Sequence, residues 1–261
     1  METKRSICAL VAVAVALCAG CASRGPVALK LATYNIHHAE GADRKIDCRR
    51  IAEHIVRERP DFAGVNEVDV NVPRSGGIDT PTELAKLTGM HATFAKAIPL
   101  RGGEYGNAVL SLEAPLSVLR LPLPGREPRV LLLCEFADCW FGTTHLALQE
   151  NSRISSVETI EKTIAERCAG KPVFLSGDWN AEPDSKTLNA VRKFATILSK
   201  EDSRTFHGFK RYPPAKDYCI DYIAVDNVSA GRVRMKEARV VEDLVSSDHN
   251  PVFVSLELSP R

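Results

Sequence analysis

Val173-Phe174-Leu175-Ser176-Gly177-Asp178-Trp179-Asn180 joins a short apolar run to a glycine and two polar side chains. Val173–Leu175 is too short for a helix, and its apolar residues predict a buried strand. Asp178 and Asn180, two apart just beyond it, can aim at one point from a tight turn. The same arrangement recurs along the chain. Asn35 follows the apolar run Leu29–Tyr34, and Glu67 follows Phe62–Val65. Thr144 and His145 fall at the end of Trp140–Leu146. Asp221 opens Asp-Tyr-Ile-Ala-Val, and Asp248 and His249 precede Val252–Leu256. Any one such residue is ordinarily a turn or helix cap. Repeated at successive strand ends, they predict a site built along one edge of a sheet.

The remaining elements follow from periodicity. Ile46–Arg59 reads as a helix with Ile51 and Ile55, then Ala52 and Val56, on shared faces, stopped by Pro60. Thr80-Pro81-Thr82-Glu83 has capping-box spacing with Pro at the first helical position, and Gly89 follows as a stop. Ala108–Leu112 and Ser117–Leu121 read as strands, and Val130–Phe136 with Trp140–Leu146 as a hairpin. Asn151–Cys168 is a predicted helix with Val157, Ile160 and Ile164 inward and Gly170 at its end. Thr187–Phe194 is another helix, and Ile220–Val225 a strand. Hairpins mixed with helices indicate α+β or mixed-sheet layering within α/β, not a purely parallel sheet. No stretch reads as a linker.

The chain has 261 residues, of which 44% are apolar, enough for a substantial core. Its formal charge is +1; setting aside Glu2, Lys4 and Arg5 leaves 32 basic and 32 acidic residues. That balance lacks the strong basic field of an avid nucleic-acid binder. At the N-terminus, Lys4 and Arg5 precede the apolar run Ile7–Leu17 and then small residues. The run is shorter than a membrane-spanning helix needs and has the layout of a cleaved export signal. Ala19-Gly20-Cys21-Ala22-Ser23 is similar to a lipoprotein signal. Residues 1–20 are therefore expected to be a signal peptide, with Cys21 lipidated or else a plain secretory cleavage. Residues 21–28 are expected to form a short tether and 29–261 the catalytic domain. No cysteine spacing is CxxC, so no structural zinc is expected. Cys134 and Cys139 flank Glu-Phe-Ala-Asp, and either pair across a hairpin loop or are two small buried apolar residues.

The residue types at the strand ends suit hydrolysis of a phosphate ester, which needs charge neutralisation, an oriented water and a stabilised leaving oxygen. Mg²⁺, with Mn²⁺ as an alternative, takes oxygen ligands and needs only one or two carboxylates; Glu67 and Asp248 are the natural pair. Asp178 can accept a water proton while Asn180 orients the water or a phosphate oxygen. His249 needs a partner that favours its charged form, and Asp221 is the candidate. His145 can bond a phosphate oxygen.

In order, the chain reads Thr-Tyr-Asn-Ile, Val-Asn-Glu-Val, Tyr-Gly-Asn-Ala-Val-Leu-Ser, Thr-Thr-His-Leu, Ser-Gly-Asp-Trp-Asn, Ile-Asp-Tyr-Ile and Ser-Asp-His-Asn-Pro-Val. This series resembles the endonuclease/exonuclease/phosphatase superfamily over about residues 29–257. The resemblance implies a four-layer α/β sandwich, two mixed sheets face to face with helices outside. It implies a metal site of Asn35, Glu67 and Asp248, with Glu67 the main ligand. Asp178 and Asn180 would orient the nucleophile, and His249, paired with Asp221, would contact the phosphate together with His145. Further stretches resemble a bacterial subgroup similar to sphingomyelinase-like members and to GPI-lipid-remodelling C-terminal domains. They are Asn-Ile-His-His-Ala-Glu-Gly, Arg74-Ser75-Gly76-Gly77, Gly-Gly-Glu-Tyr-Gly-Asn and Arg126-Glu127-Pro128-Arg129. They add His37, His38, Glu104, Asn107, Arg126 and Arg129 as substrate-binding candidates; an Arg suits bidentate phosphate contact. His54, His91 and His207 read as structural or surface residues. The expected substrate is a lipid headgroup or small phosphate ester, with a secreted nuclease and an inactive binding module as rivals. Membrane association is expected through the lipid anchor, with a retained anchor helix the less favoured alternative, and no protein partner is expected.

Overall fold

The computed structural model describes residues 25–168, 170–210 and 218–260. The expected signal peptide, Cys21 and the Tyr212-Pro213-Pro214 segment lie outside them.

The first half runs β1 (Val27–Asn35), α1 (Cys48–Glu58), β2 (Phe62–Val70), α2 (Thr80–Thr88), β3 (His91–Leu100) and β4 (Gly103–Ser111). It continues through β5 (Ser117–Leu123), β6 (Arg129–Glu135), β7 (Trp140–Thr144), α3 (Glu150–Arg167) and β8 (Val173–Asp178). The chain then forms α4 (Lys186–Val191), β9 (Ala195–Ile197), β10 (Asp221–Asp226), α5 (Asn227–Ala230), β11 (Val233–Val240) and β12 (Val252–Leu258). Two six-stranded sheets result, ordered β11-β12-β1-β2-β4-β3 and β5-β6-β7-β8-β10-β9. Both are mixed, since β1–β2 and β7–β8 are parallel and the other pairs antiparallel.

Alternation along the strands divides the apolar residues among three layers of packing. Leu31, Val109 and Val254 of the first sheet meet Leu132, Phe141, Phe174 and Ile223 of the second. On the outer face of the first sheet, Ile51, Ala52 and Ile55 of α1 and Leu84 of α2 cover Ala32, Tyr34, Val65 and Phe253. On the outer face of the second, Val157 and Ile160 of α3 and Leu188 of α4 cover Leu131, Leu133, Leu175 and Tyr222. The order is helix, sheet, sheet, helix, the four-layer sandwich that the motif series implied.

Several boundaries move. Asp79, not Thr80, caps α2, accepting from Thr82 N at 3.1 Å, so Pro81 stands one place further into the first turn. The last predicted helix ends at Val191 rather than Phe194. β3, β9 and β11 were not legible. β11 and β3 are edge strands with few buried positions, so neither shows a clean apolar alternation. Cys134 and Cys139 are buried free thiols, as are Cys48, Cys168 and Cys219, so the hairpin carries no bridge. Among the described residues, no helix is long and apolar enough to cross a membrane.

Candidate active site

Each sheet contributes strand ends to one cleft of about 810 Å³. In the second sheet the antiparallel register of β8 and β10 sets Asp178 directly opposite Asp221. In the first, the parallel register of β1 and β2 sets Asn35 beside Asn66. A bulge in β2 follows, where the pairing with β4 slips between Val65 and Val68. Glu67 sits in this bulge at φ 59, a left-handed conformation unfavourable for a residue with a side chain, and it lines the cleft.

The two sheets are tied together behind the cleft by buried amides and hydroxyls. Asn66 donates to Asn107 Oδ1 at 3.0 Å and to Thr143 Oγ1 at 3.1 Å, and accepts from Asp178 N at 2.9 Å. Gly64 makes the close approach possible, because a Cβ there would stand 2.1 Å from Ser176 Oγ. Loops complete the frame. Ser247 Oγ donates to Asn35 O at 2.7 Å and accepts from His249 N at 3.2 Å. Thr205 Oγ1 accepts from Ile220 N at 2.9 Å and Asp221 N at 3.1 Å.

Inside this frame the polar side chains form one network. Asn35 Nδ2 donates to Glu67 Oε1 at 3.1 Å and to Asp178 Oδ2 at 2.9 Å. Asp178 Oδ1 accepts from Asn180 N at 2.9 Å. Asn180, at φ 49, donates its amide to His145 Nε2 and Leu146 O, each at 2.9 Å. Accepting at Nε2, His145 carries its proton on Nδ1, 3.5 Å from the Tyr105 hydroxyl. Burial lowers the pKa of this imidazole to about 4 against the pull of Asp178, so it is neutral at neutral pH. His249 behaves oppositely. Burial opposes its charge too, but Asp221, bonded to Nδ1 at 2.9 Å, and Asp178, 3.6 Å from Nε2, outweigh that and push it up to about 10. Burial also raises the Asp178 carboxyl, with His145, His249 and Asn35 working the other way. A neutral and a charged histidine thus flank one buried acid.

The structure brings Asn35, Glu67, His145, Asp178, Asn180, Asp221 and His249 into contact, and Asp248 lines the same cleft. Asn35 turns its amide nitrogen toward the two carboxylates, and its oxygen accepts from His37 N at 3.1 Å. Of the substrate-binding candidates, Arg126 and Arg129 line the cleft. Glu104 does not; it is exposed and paired with Lys96 at 2.9 Å. Asn107 is buried, with its amide committed to Asn66 and to Val130 O, so it braces the sheets and is out of a ligand's reach. His37 bonds Glu40 O, and buried His38 stands 3.6 Å from the Glu40 carboxylate; neither lines the cleft. Tyr105, Asn66, Thr205 and Ser247 were missed. Asn66 and Tyr105 lie within quoted motifs, but a polar residue inside a strand carries no signal of which sheet face it serves.

Asp178, Asp221 and His249 bring potential ligand atoms within 4.8 Å of one another. The charged His249 donates to Asp221, which makes this trio a poor ligand set and a good proton-holding one. Glu67 and Asp248 remain the better metal candidates: oxygen donors at a cleft where buried acids call for a hard divalent cation.

Residues 32–249 match the model of the Endonuclease/Exonuclease/phosphatase family. The chain belongs to that family. Its members are phosphoesterases and nucleases, generally dependent on a divalent metal, and this endonuclease/exonuclease/phosphatase protein is a hydrolase of that kind. An endonuclease/exonuclease/phosphatase from Beutenbergia cavernae is 23% identical at a TM-score of 0.74, over 90% of this chain and 72% of that one. One from Bacteroides vulgatus is 20% identical at 0.74, over 89% and 100%. A mannosyl-6-phosphatase from Bacteroides thetaiotaomicron is 17% identical at 0.71, over 87% and 99%. Identities this low carry the fold alone. No curated protein matches the chain.

Proposed function

We propose that this family member is a Mg²⁺-dependent phosphodiesterase or phosphatase acting on a lipid headgroup or a small phosphate ester. The observation that carries the reading is the buried acid Asp178 between charged His249 and neutral His145, open to the cleft. Asp178 takes the proton of the attacking water, and the Asn180 side-chain oxygen, which has no partner among the hydrogen bonds found, orients it. His249, held charged by Asp221, donates to a phosphate oxygen, and His145 offers a neutral contact beside it. Glu67 and Asp248 would hold Mg²⁺ or Mn²⁺, which neutralises charge at the phosphate when bound.

Charge balance and cleft lining favour a small or lipid substrate over nucleic acid. Ala147, Leu148, Ala181, Phe206 and Ile220 give the cleft an apolar wall, and Leu148 is 68% exposed at its edge. The neighbouring fold named a mannosyl-6-phosphatase is compatible with a small ester. The same reading has the chain exported and tethered through Cys21, on the strength of the Ala-Gly-Cys-Ala-Ser pattern. Replacing Cys21 with Ser is then expected to move the protein out of the membrane fraction.

The deciding experiment is turnover with Mg²⁺, and with chelator, on sphingomyelin, phosphoinositides, a generic phosphodiester and DNA. Metal-dependent hydrolysis of a lipid or small ester with little salt dependence is expected. Activity confined to DNA and falling steeply with salt makes the protein a nuclease instead. No turnover on any of them makes it a binding module.

A further inference from the structure

Arg129 is the first residue of β6, at the sheet end where β7 delivers Thr144 and His145. Unlike exposed Arg126, its side chain is only 8% exposed, yet it lines the cleft. Its acceptors are incomplete. Nε has no hydrogen-bond partner, and Nη1 stands 2.7 Å from Glu127 Oε1, an ion pair without hydrogen-bond alignment. The Tyr105 hydroxyl, 3.5 Å from His145 Nδ1, meets this guanidinium: burial raises its pKa, and the charge of Arg129 and a hydrogen bond from it oppose the rise, so the donors left open are Nε and Nη1. Glu127 is half exposed and close to the cleft mouth. A buried guanidinium with open donors is costly unless something completes it.

We infer that Arg129 completes its hydrogen bonds on the substrate's phosphate, that Glu127 is a stand-in counter-charge which yields to it, and that the substrate is therefore a phosphomonoester. This rests on the phosphoesterase reading above and narrows it. A diester carries one negative charge. A monoester carries about −1.5 to −2 near pH 7, and the second charge calls for a further cation. The guanidinium's planar donors match phosphate oxygens, which a lysine would meet only as a point charge. In the reaction the water oxygen joins phosphorus and the ester P–O bond breaks, its electron pair passing to the leaving oxygen. One water proton ends on the released alcohol, and inorganic phosphate remains.

Inorganic phosphate is therefore the probe, titrated calorimetrically with Mg²⁺ present, alongside hydrolysis of p-nitrophenyl phosphate and bis(p-nitrophenyl) phosphate. Arg129→Met is expected to weaken phosphate binding about 30-fold or more, the usual scale for removing one partner of a desolvated charge pair. It should cut kcat/KM on the monoester far more than on the diester. Glu127→Gln, which leaves Arg129 in place, should tighten phosphate several-fold. Phosphate binding indifferent to Arg129, equal losses on both esters, or weaker binding in Glu127→Gln overturns the inference. If Arg129→Met fails to fold, the sign of the Glu127→Gln change decides. Arg129-dependent phosphate binding by a protein that hydrolyses no ester sinks the phosphoesterase reading and leaves the phosphate contact standing; ester turnover indifferent to Arg129 does the reverse.

Discussion

Asn66 has no proton to give or take in the reaction, yet it sets where Asp178 stands. Its oxygen holds the Asp178 backbone while its nitrogen is anchored to Asn107 in its own sheet and to Thr143 across the sheet interface. The acid is thereby fixed before any substrate arrives. Asp178→Asn keeps the size and burial of the side chain and removes the base, at the cost of one acceptor, since both carboxylate oxygens accept hydrogen bonds. Turnover is expected to fall by about 10³-fold, within the range for losing a general base, with the melting temperature unchanged or higher. Loss of turnover by less than tenfold in steady-state kinetics would remove Asp178 from that role. Glu67→Gln should displace half-activation to higher Mg²⁺ in a metal titration, because an amide is a weaker ligand than a carboxylate. An unchanged metal curve places the ion elsewhere.

At the scale of elements, the loop from Asp243 to Asn250 delivers both Asp248 and His249, and Asp243 shapes it. Its carboxylate accepts from Val245 N at 2.7 Å, from Ser246 N at 3.1 Å and from His54 Nε2 at 2.6 Å. Burial raises this acid's pKa, but those bonds outweigh burial and hold it well below the usual carboxylate range. A depressed folded pKa means the stabilisation is complete above the unfolded value of about 3.9 and is lost as pH falls below it. Asp243→Asn should therefore flatten the acid side of a melting-temperature profile below about pH 5 and leave the neutral side lower overall. The chemistry of this loop was legible because Asp248 and His249 abut an apolar strand that stops abruptly. Thr205, which braces Asp221 from a distant turn, was not, because a threonine in a polar loop looks like any solvated turn. Edge strands escaped for a related reason. A strand with one side wet and one neighbour missing has little apolar alternation to read, as β11 shows. Central strands such as β8, buried at every position, announced themselves.

For the molecule as a whole, catalytic geometry depends on two sheets meeting at a set separation, and Gly64 fixes it on one side. A Cβ there would press on Ser176 and Thr143, both in the opposite sheet. Gly64→Ala is expected to lower unfolding free energy by about 3 kcal/mol in urea titration, the upper part of the usual overpacking range. Activity should fall with it, because Asn66 and Asp178 are fastened across that same gap. Both faces of the sandwich also hold their cysteines in the interior as thiols, with burial pushing Cys134 and Cys139 up to about 12 and Cys168 and Cys219 to about 11. Thiols so protected neither ionise nor meet an oxidant in the folded state. The five cysteines of the described residues thus need no oxidative step: melting curves recorded with and without dithiothreitol should superimpose.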